Sequence, residues 1–113
     1  MQTGTGHPAV LLFLSVGLAL GSSSARAADT RSVSASFACD GGKEIQAVFI
    51  TGSQPSVQLS LSDGRHLVLP QAVSASGARY TNRDESFVFW NKGRTAFIEE
   101  AGQRTYTGCV QLK

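Results

Sequence analysis

Through most of this chain apolar and polar residues alternate one by one, in runs too short for anything but strands. Ile45, Ala47 and Phe49 alternate with Gln46, Val48 and Ile50, and Val57, Leu59 and Leu61 alternate with Gln58 and Ser60. A period of two sends successive side chains to opposite faces of an extended segment, and Gly or Asx turn signals interrupt these runs at short intervals. Asp63-Gly64 reads as a two-residue hairpin turn of type I′, in which both central positions need positive φ. The chain then returns over residues 66–69, with Leu67 and Leu69 apolar, until Pro70 ends the strand. Residues 80–82 and 86–91 form the next pair around Arg83, Asp84 and Glu85. Lys92-Gly93 turns the chain into 94–99, and Ala101-Gly102 turns it into a last strand over 103–110. No stretch carries a helical period, so the reading is all-β: about eight short strands in a mainly antiparallel meander. Closing such a sheet into a barrel removes its edges and lets one small core serve every strand.

The first part of the 113-residue chain has a different character. Residues 10–20 are an apolar run too short to cross a bilayer as a helix. Small residues follow, then Ala25-Arg26-Ala27, an A-x-A-like cleavage site, although no Lys or Arg precedes the run. Residues 1–27 therefore read as a secretory signal, 28–35 as a polar, Ser-rich flexible leader, and 36–113 as one small domain. A domain of this size struggles to bury enough apolar surface unaided. Cys39 and Cys109 are the only cysteines, and export implies an oxidising compartment, so a disulfide between them is expected. Closing a loop of roughly 70 residues contributes about 4 kcal/mol in the chain-entropy model.

Several functions are argued against by the same inventory. A formal charge of +2, with Lys and Arg scattered among acids, gives no basic stripe for nucleic acid. His66 is the only histidine once the signal is removed, and no second ligand stands at metal-binding spacing, so no metal or cofactor is expected. Glu99 and Glu100 are adjacent on a strand and point to opposite faces, which rules them out as a glycosidase pair and leaves them as surface charge.

Two strings carry the functional signal: SASGARY over residues 74–80 and FVFWNKG over 87–93, separated by a polar turn. In this order, within the cysteine pair and behind an export signal, they resemble the paired motifs of the small inhibitors of c-type lysozyme found in Gram-negative envelopes. The resemblance covers most of residues 37–111 and implies an eight-stranded barrel closed near its ends by the Cys39–Cys109 disulfide. It implies a c-type lysozyme as partner and no enzymatic activity, the role being to protect peptidoglycan from host lysozyme. Neither cysteine lies close enough to the apolar run to be lipidated, which points to the soluble periplasmic branch rather than the membrane-anchored one.

In that family the serine matching Ser76 hydrogen-bonds one cleft carboxyl and the lysine matching Lys92 pairs with the other. Counting outward from a turn centred between Arg83 and Asp84 pairs Tyr80 with Phe87, Arg79 with Val88 and Ser76 with Asn91. Ser76 and Lys92 then emerge one step off direct opposition, about 7 to 8 Å apart at most. The catalytic carboxyls of a retaining glycosidase stand about 5 to 5.5 Å apart. Gly77 and Gly93 each follow a contact residue and permit the tight turn that pushes its side chain outward. Tyr80 and Trp90 are expected to support the loop, and Arg79 either stacks on an aromatic ring or joins the contact surface. Arg94 adds charge at the rim. Phe89 and Trp90 face opposite sides of their strand, one in the core. The stretch between the motifs is about two residues longer than the family pattern, at the far tip around residues 83–85.

Two other functions remain open at this point. Ser76 and Lys92 form a Ser-Lys hydrolytic dyad in one, against which a lysine in an exposed turn stays protonated at neutral pH. The other is an envelope-binding or structural module that keeps the fold without the inhibition.

Overall fold

The computed structural model describes residues 30–113, so the segment read as a signal lies outside the described residues. Eight strands follow in chain order: β1 (Arg31–Ala38), β2 (Glu44–Thr51), β3 (Ser56–Leu61), β4 (His66–Ala72), β5 (Ala78–Thr81), β6 (Phe87–Lys92), β7 (Thr95–Glu100) and β8 (Gln103–Gln111). Each pairs antiparallel with the next, and β1 pairs with β8 to close the barrel. The closure is short, limited to Phe37↔Gln111 and Ala38↔Val110, and the Cys39–Cys109 disulfide clamps it at that point.

The period-two pattern packs the interior as expected. Ile45, Ala47, Val57, Leu59 and Leu61 are buried on one face of β2 and β3. Across the barrel Phe89 is fully enclosed, with its ring 6.1 Å from those of Phe37, Phe49 and Tyr80. Tyr106 and Ile98 complete this wall.

Several of the expected strand ends, turns and pairings differ from the structure. Residues 31–35 belong to β1, not to a flexible leader, because β2 is long enough to pair with all of them, from Arg31↔Thr51 to Ala38↔Glu44. The Asp63-Gly64 turn is a three-residue loop between Leu61 and Arg65, not a type I′ pair. Gly64 alone has positive φ, at 97°, while the Asp63 carboxylate accepts the Arg65 amide at 3.0 Å and holds the turn in its bulged form.

Pro70 does not end its strand. The Gln71 amide donates to Pro55 O at 3.0 Å, so the alternation of an antiparallel ladder turns position 70's missing N–H away from β3 and toward β5. The cost falls on β5, whose ladder with β4 is only Gln71↔Tyr80 and Ala72↔Arg79. Finally, the β5–β6 turn is centred one residue later than counted, so the pairing shifts by two: Tyr80 faces Phe89 and Arg79 faces Trp90. Asn82 causes this, its side-chain oxygen accepting the Phe87 amide at 3.0 Å around Glu85, which sits at φ 60°. A shift of two leaves every side chain on its original face.

Candidate functional site: a loop and a strand end at one rim

The β4–β5 loop and the β6–β7 turn meet at one rim of the barrel. Continuing the Ala78↔Asn91 register outward by one residue brings Gly77 opposite Lys92, with Ser76 one step diagonal to it. Gly77 takes φ 69°, and a Cβ built on it would lie 2.6 Å from Lys92 Cγ and 2.7 Å from Asn91 O. Only glycine lets the loop backbone lie this close to the lysine stem. Ser76 and Lys92 are both exposed. Among the described residues no carboxylate lies within ion-pair distance of Lys92.

Each group has its own local support. The Ser74 hydroxyl donates to Ser76 O and accepts the Ser76 amide at 3.3 Å, a small closed turn within the loop. Trp90 Nε1 donates to the same carbonyl at 2.9 Å. Lys92 is the last residue of β6, and Gly93 and Arg94 make the turn rather than Lys92 and Gly93. Gly93 has φ 57°. Asn91 braces that turn by donating from Nδ2 to Gly93 O at 3.2 Å and to Thr95 O at 3.0 Å. Neither Ser74 nor Asn91 stood out in the sequence, since Ser and Asn are ordinary loop residues until their acceptors are known.

The flanking residues divide between inside and outside. Tyr80 is in the core, its ring 5.9 Å from Phe49, and burial raises its hydroxyl pKa. Trp90 lies on the outer wall, between Arg79 of β5 and Phe97 of β7. Arg79 stacks: its guanidinium lies 5.8 Å from the Trp90 ring centroid and is held by Glu85 at 2.7 Å. Arg94 turns away from the pair, donating from Nη2 to Gln111 O at 2.6 Å. It lines a notch of about 520 Å³ between Ser34–Ser36 and the end of β8 that includes neither Ser76 nor Lys92. Among the described residues no group of His, Cys, Asp and Glu is placed to hold a metal ion.

The opposite rim carries a charged cluster that the sequence did not suggest. Arg65 makes a bidentate pair with Glu100 at 2.8 and 2.9 Å and reaches Asp63 at 2.9 Å. The guanidinium beside them lowers the pKa of both carboxyls, by its side-chain hydrogen bonds first. Glu99 pairs with Arg104 at 3.5 Å, so both adjacent acids are engaged in ion pairs.

The described residues thus form a disulfide-closed eight-stranded antiparallel barrel with an exposed serine and an exposed lysine side by side at one rim. Residues 37–106 match the family model described as membrane-bound lysozyme-inhibitor of c-type lysozyme, and the chain belongs to that family. It is 40% identical over 76 residues to a Yersinia enterocolitica membrane-bound lysozyme inhibitor of C-type lysozyme. That match covers 67% of this chain and 61% of the relative, so the chain spans less than two thirds of the relative's length. In fold it is similar to Pseudomonas aeruginosa MliC, solved in complex with hen egg white lysozyme. The TM-score is 0.62 at 21% identity, covering 90% of this chain and all of the other.

Proposed function

We propose that this protein is a soluble periplasmic inhibitor of c-type lysozyme, that it is not an enzyme, and that it blocks the lysozyme cleft with Ser76 and Lys92. The observation that carries this is the contact of Gly77 with the Lys92 stem, 2.6 Å from a Cβ position to Cγ. That contact puts the loop backbone next to Ser76 against the lysine stem. Diagonal neighbours on adjoining strands stand about 7 to 8 Å apart, close enough for one cleft with carboxyls about 5 to 5.5 Å apart to meet both side chains. A lysine ammonium supplies three donors and a full charge to the ionised carboxylate. A serine hydroxyl donates to an ionised carboxyl or accepts from a protonated one. That division matches a cleft in which one acid is held neutral and the other charged. The match to a family of lysozyme inhibitors, and the likeness to a barrel solved with hen egg white lysozyme, support the same reading. The hydrolase alternative loses ground because, among the described residues, Ser76 and Lys92 share no hydrogen bond, and the Lys92 ammonium lies over the Trp90 ring.

The test uses the oxidised protein spanning residues 28–113, added to hen-type lysozyme clearing a suspension of bacterial cell walls, with turbidity as the readout. Wild type slows clearing in proportion to its concentration. Lys92→Ala leaves a cleft carboxylate desolvated and unpaired, which costs about 2 to 5 kcal/mol, or at least about 30-fold in affinity. A folded Lys92→Ala protein that inhibits as well as wild type refutes the mechanism. Absence of inhibition by wild type refutes the function.

A further inference from the structure

We propose that Trp90 is the positioning residue of this site: its indole N–H holds the Ser76 loop while its ring face carries the Lys92 ammonium, so that both contact groups are referenced to one rigid side chain. The inference rests on the inhibitor reading above and says how the two groups are kept in register.

The loop needs such a support. Val73 is 93% exposed, and among the described residues the hydrogen bonds that fix Ser76 come from Ser74, inside the same loop, and from Trp90, outside it. Only the Trp90 bond, 2.9 Å from Nε1 to Ser76 O, ties the loop to the barrel wall. The lysine needs one too, since a long side chain loses substantial rotamer freedom on binding. Lys92 Nζ lies 5.5 Å from the Trp90 ring centroid, within cation–π range, so the ammonium is already partly confined beside the loop.

The indole is itself clamped. Arg79 covers it at 5.8 Å and Phe97 packs 5.8 Å away, while Arg104 stacks on Phe97 at 3.9 Å. Glu85 and Glu99 hold the two arginines in turn. The result is a ladder along the outer wall from β5 to β8, two packed rings flanked by an arginine at each end, whose effect is to fix one tryptophan rotamer. Holding contact groups in their bound arrangement before association lowers the ordering cost of binding and shows mainly in the dissociation rate.

Trp90→Phe separates the two roles, because it keeps a ring under Lys92 and removes the donor to Ser76 O. The expected result is a folded protein whose lysozyme affinity falls about five- to tenfold, the worth of one hydrogen bond, through faster dissociation. In a Ser76→Ala background the same change costs less than about threefold, because the hydroxyl it positions is gone. In a Lys92→Ala background the full loss persists. Trp90→Leu, which removes the ring as well, adds a further loss that disappears in the Lys92→Ala background.

Trp90 is the only tryptophan in the chain, so isotope-labelled wild type gives a single indole N–H signal that answers the question even if a variant misfolds. It is expected to exchange with solvent far more slowly than a free indole. Exchange at the free rate, or Trp90→Phe inhibiting like wild type, overturns the proposal. If Ser76→Ala and Lys92→Ala themselves inhibit like wild type, the inhibitor mechanism fails instead; if they lose inhibition while Trp90→Phe does not, only the role of Trp90 fails.

Discussion

Replacing Gly77 by alanine, with Gly93→Ala as its control, measures how tightly the rim is packed. Both glycines have positive φ, 69° and 57°, so each alanine incurs a backbone penalty of about 1 kcal/mol. At Gly93 nothing lies within 4 Å of the new methyl group, and the backbone penalty is the whole effect. At Gly77 the methyl group would stand 2.7 Å from Asn91 O and 3.1 Å from Trp90 Nε1. Lys92 Cγ, nearer still, belongs to a flexible side chain and can yield. The carbonyl cannot, because Asn91 is paired on both sides, to Ala78 and to Ala96. Forcing a methyl group into such a site costs about 1 to 3 kcal/mol more. Gly77→Ala is therefore expected to destabilise by about 2 to 4 kcal/mol against about 1 for Gly93→Ala. In urea, with a slope of about 1 kcal/mol per molar for a domain this small, the midpoints differ by at least about 1 M. The surviving folded Gly77→Ala protein inhibits lysozyme less well than Gly93→Ala, because the loop carrying Ser76 has been pushed off Lys92. Equal midpoints and equal inhibition for the two variants would refute the close approach.

Reduction of the Cys39–Cys109 bond, or a double serine substitution, removes a link across 70 residues. It is expected to cost about 4 kcal/mol, seen as a fall in the urea midpoint that added reductant reproduces in wild type and not in the variant. The Arg65 cluster gives a pH signature. The folded-state pKa of Glu100 is lowered, chiefly by its hydrogen bonds with Arg65, so its contribution is present above the unperturbed value of 4.5 and is lost as pH falls through the folded-state value. Arg65→Met should thus lower the melting temperature at pH 7, and its gap from wild type should shrink steadily as pH is taken below 4.5. A gap independent of pH would show that Arg65 acts through packing on Phe87 rather than through its carboxylates.

Much of this molecule is visible in its pattern of residues, and the failures are instructive. Val57, Leu59 and Leu61 announce an inward face because burial follows strand alternation, a local property. Pro70 misleads because a proline's effect depends on which neighbour its missing N–H faces, and that is a property of the sheet. The β5–β6 register misleads because one side chain, Asn82, replaces a backbone partner and moves the turn centre by a residue. Since the error is an even number of residues, the inward and outward faces survive it, and Ser76 and Lys92 remain diagonal neighbours.

At the site the division is similar. Serine before glycine in a loop and lysine before glycine at a turn are ordinary by themselves; it is the resemblance of the two strings to a family's paired motifs that marks Ser76 and Lys92 as candidate contacts. What supports them is not so marked. Trp90 reaches Ser76 O across 14 positions of chain, and Arg65 meets Glu100 across 35. The sequence by itself determined most of the strands, their faces and the cysteine clamp, since each follows from local period, local turn chemistry or the scarcity of a residue type. Only the assembled sheet decided which outer side chains lie beside Ser76 and Lys92, because the strand pairings bring β5, β6, β7 and β8 into one wall.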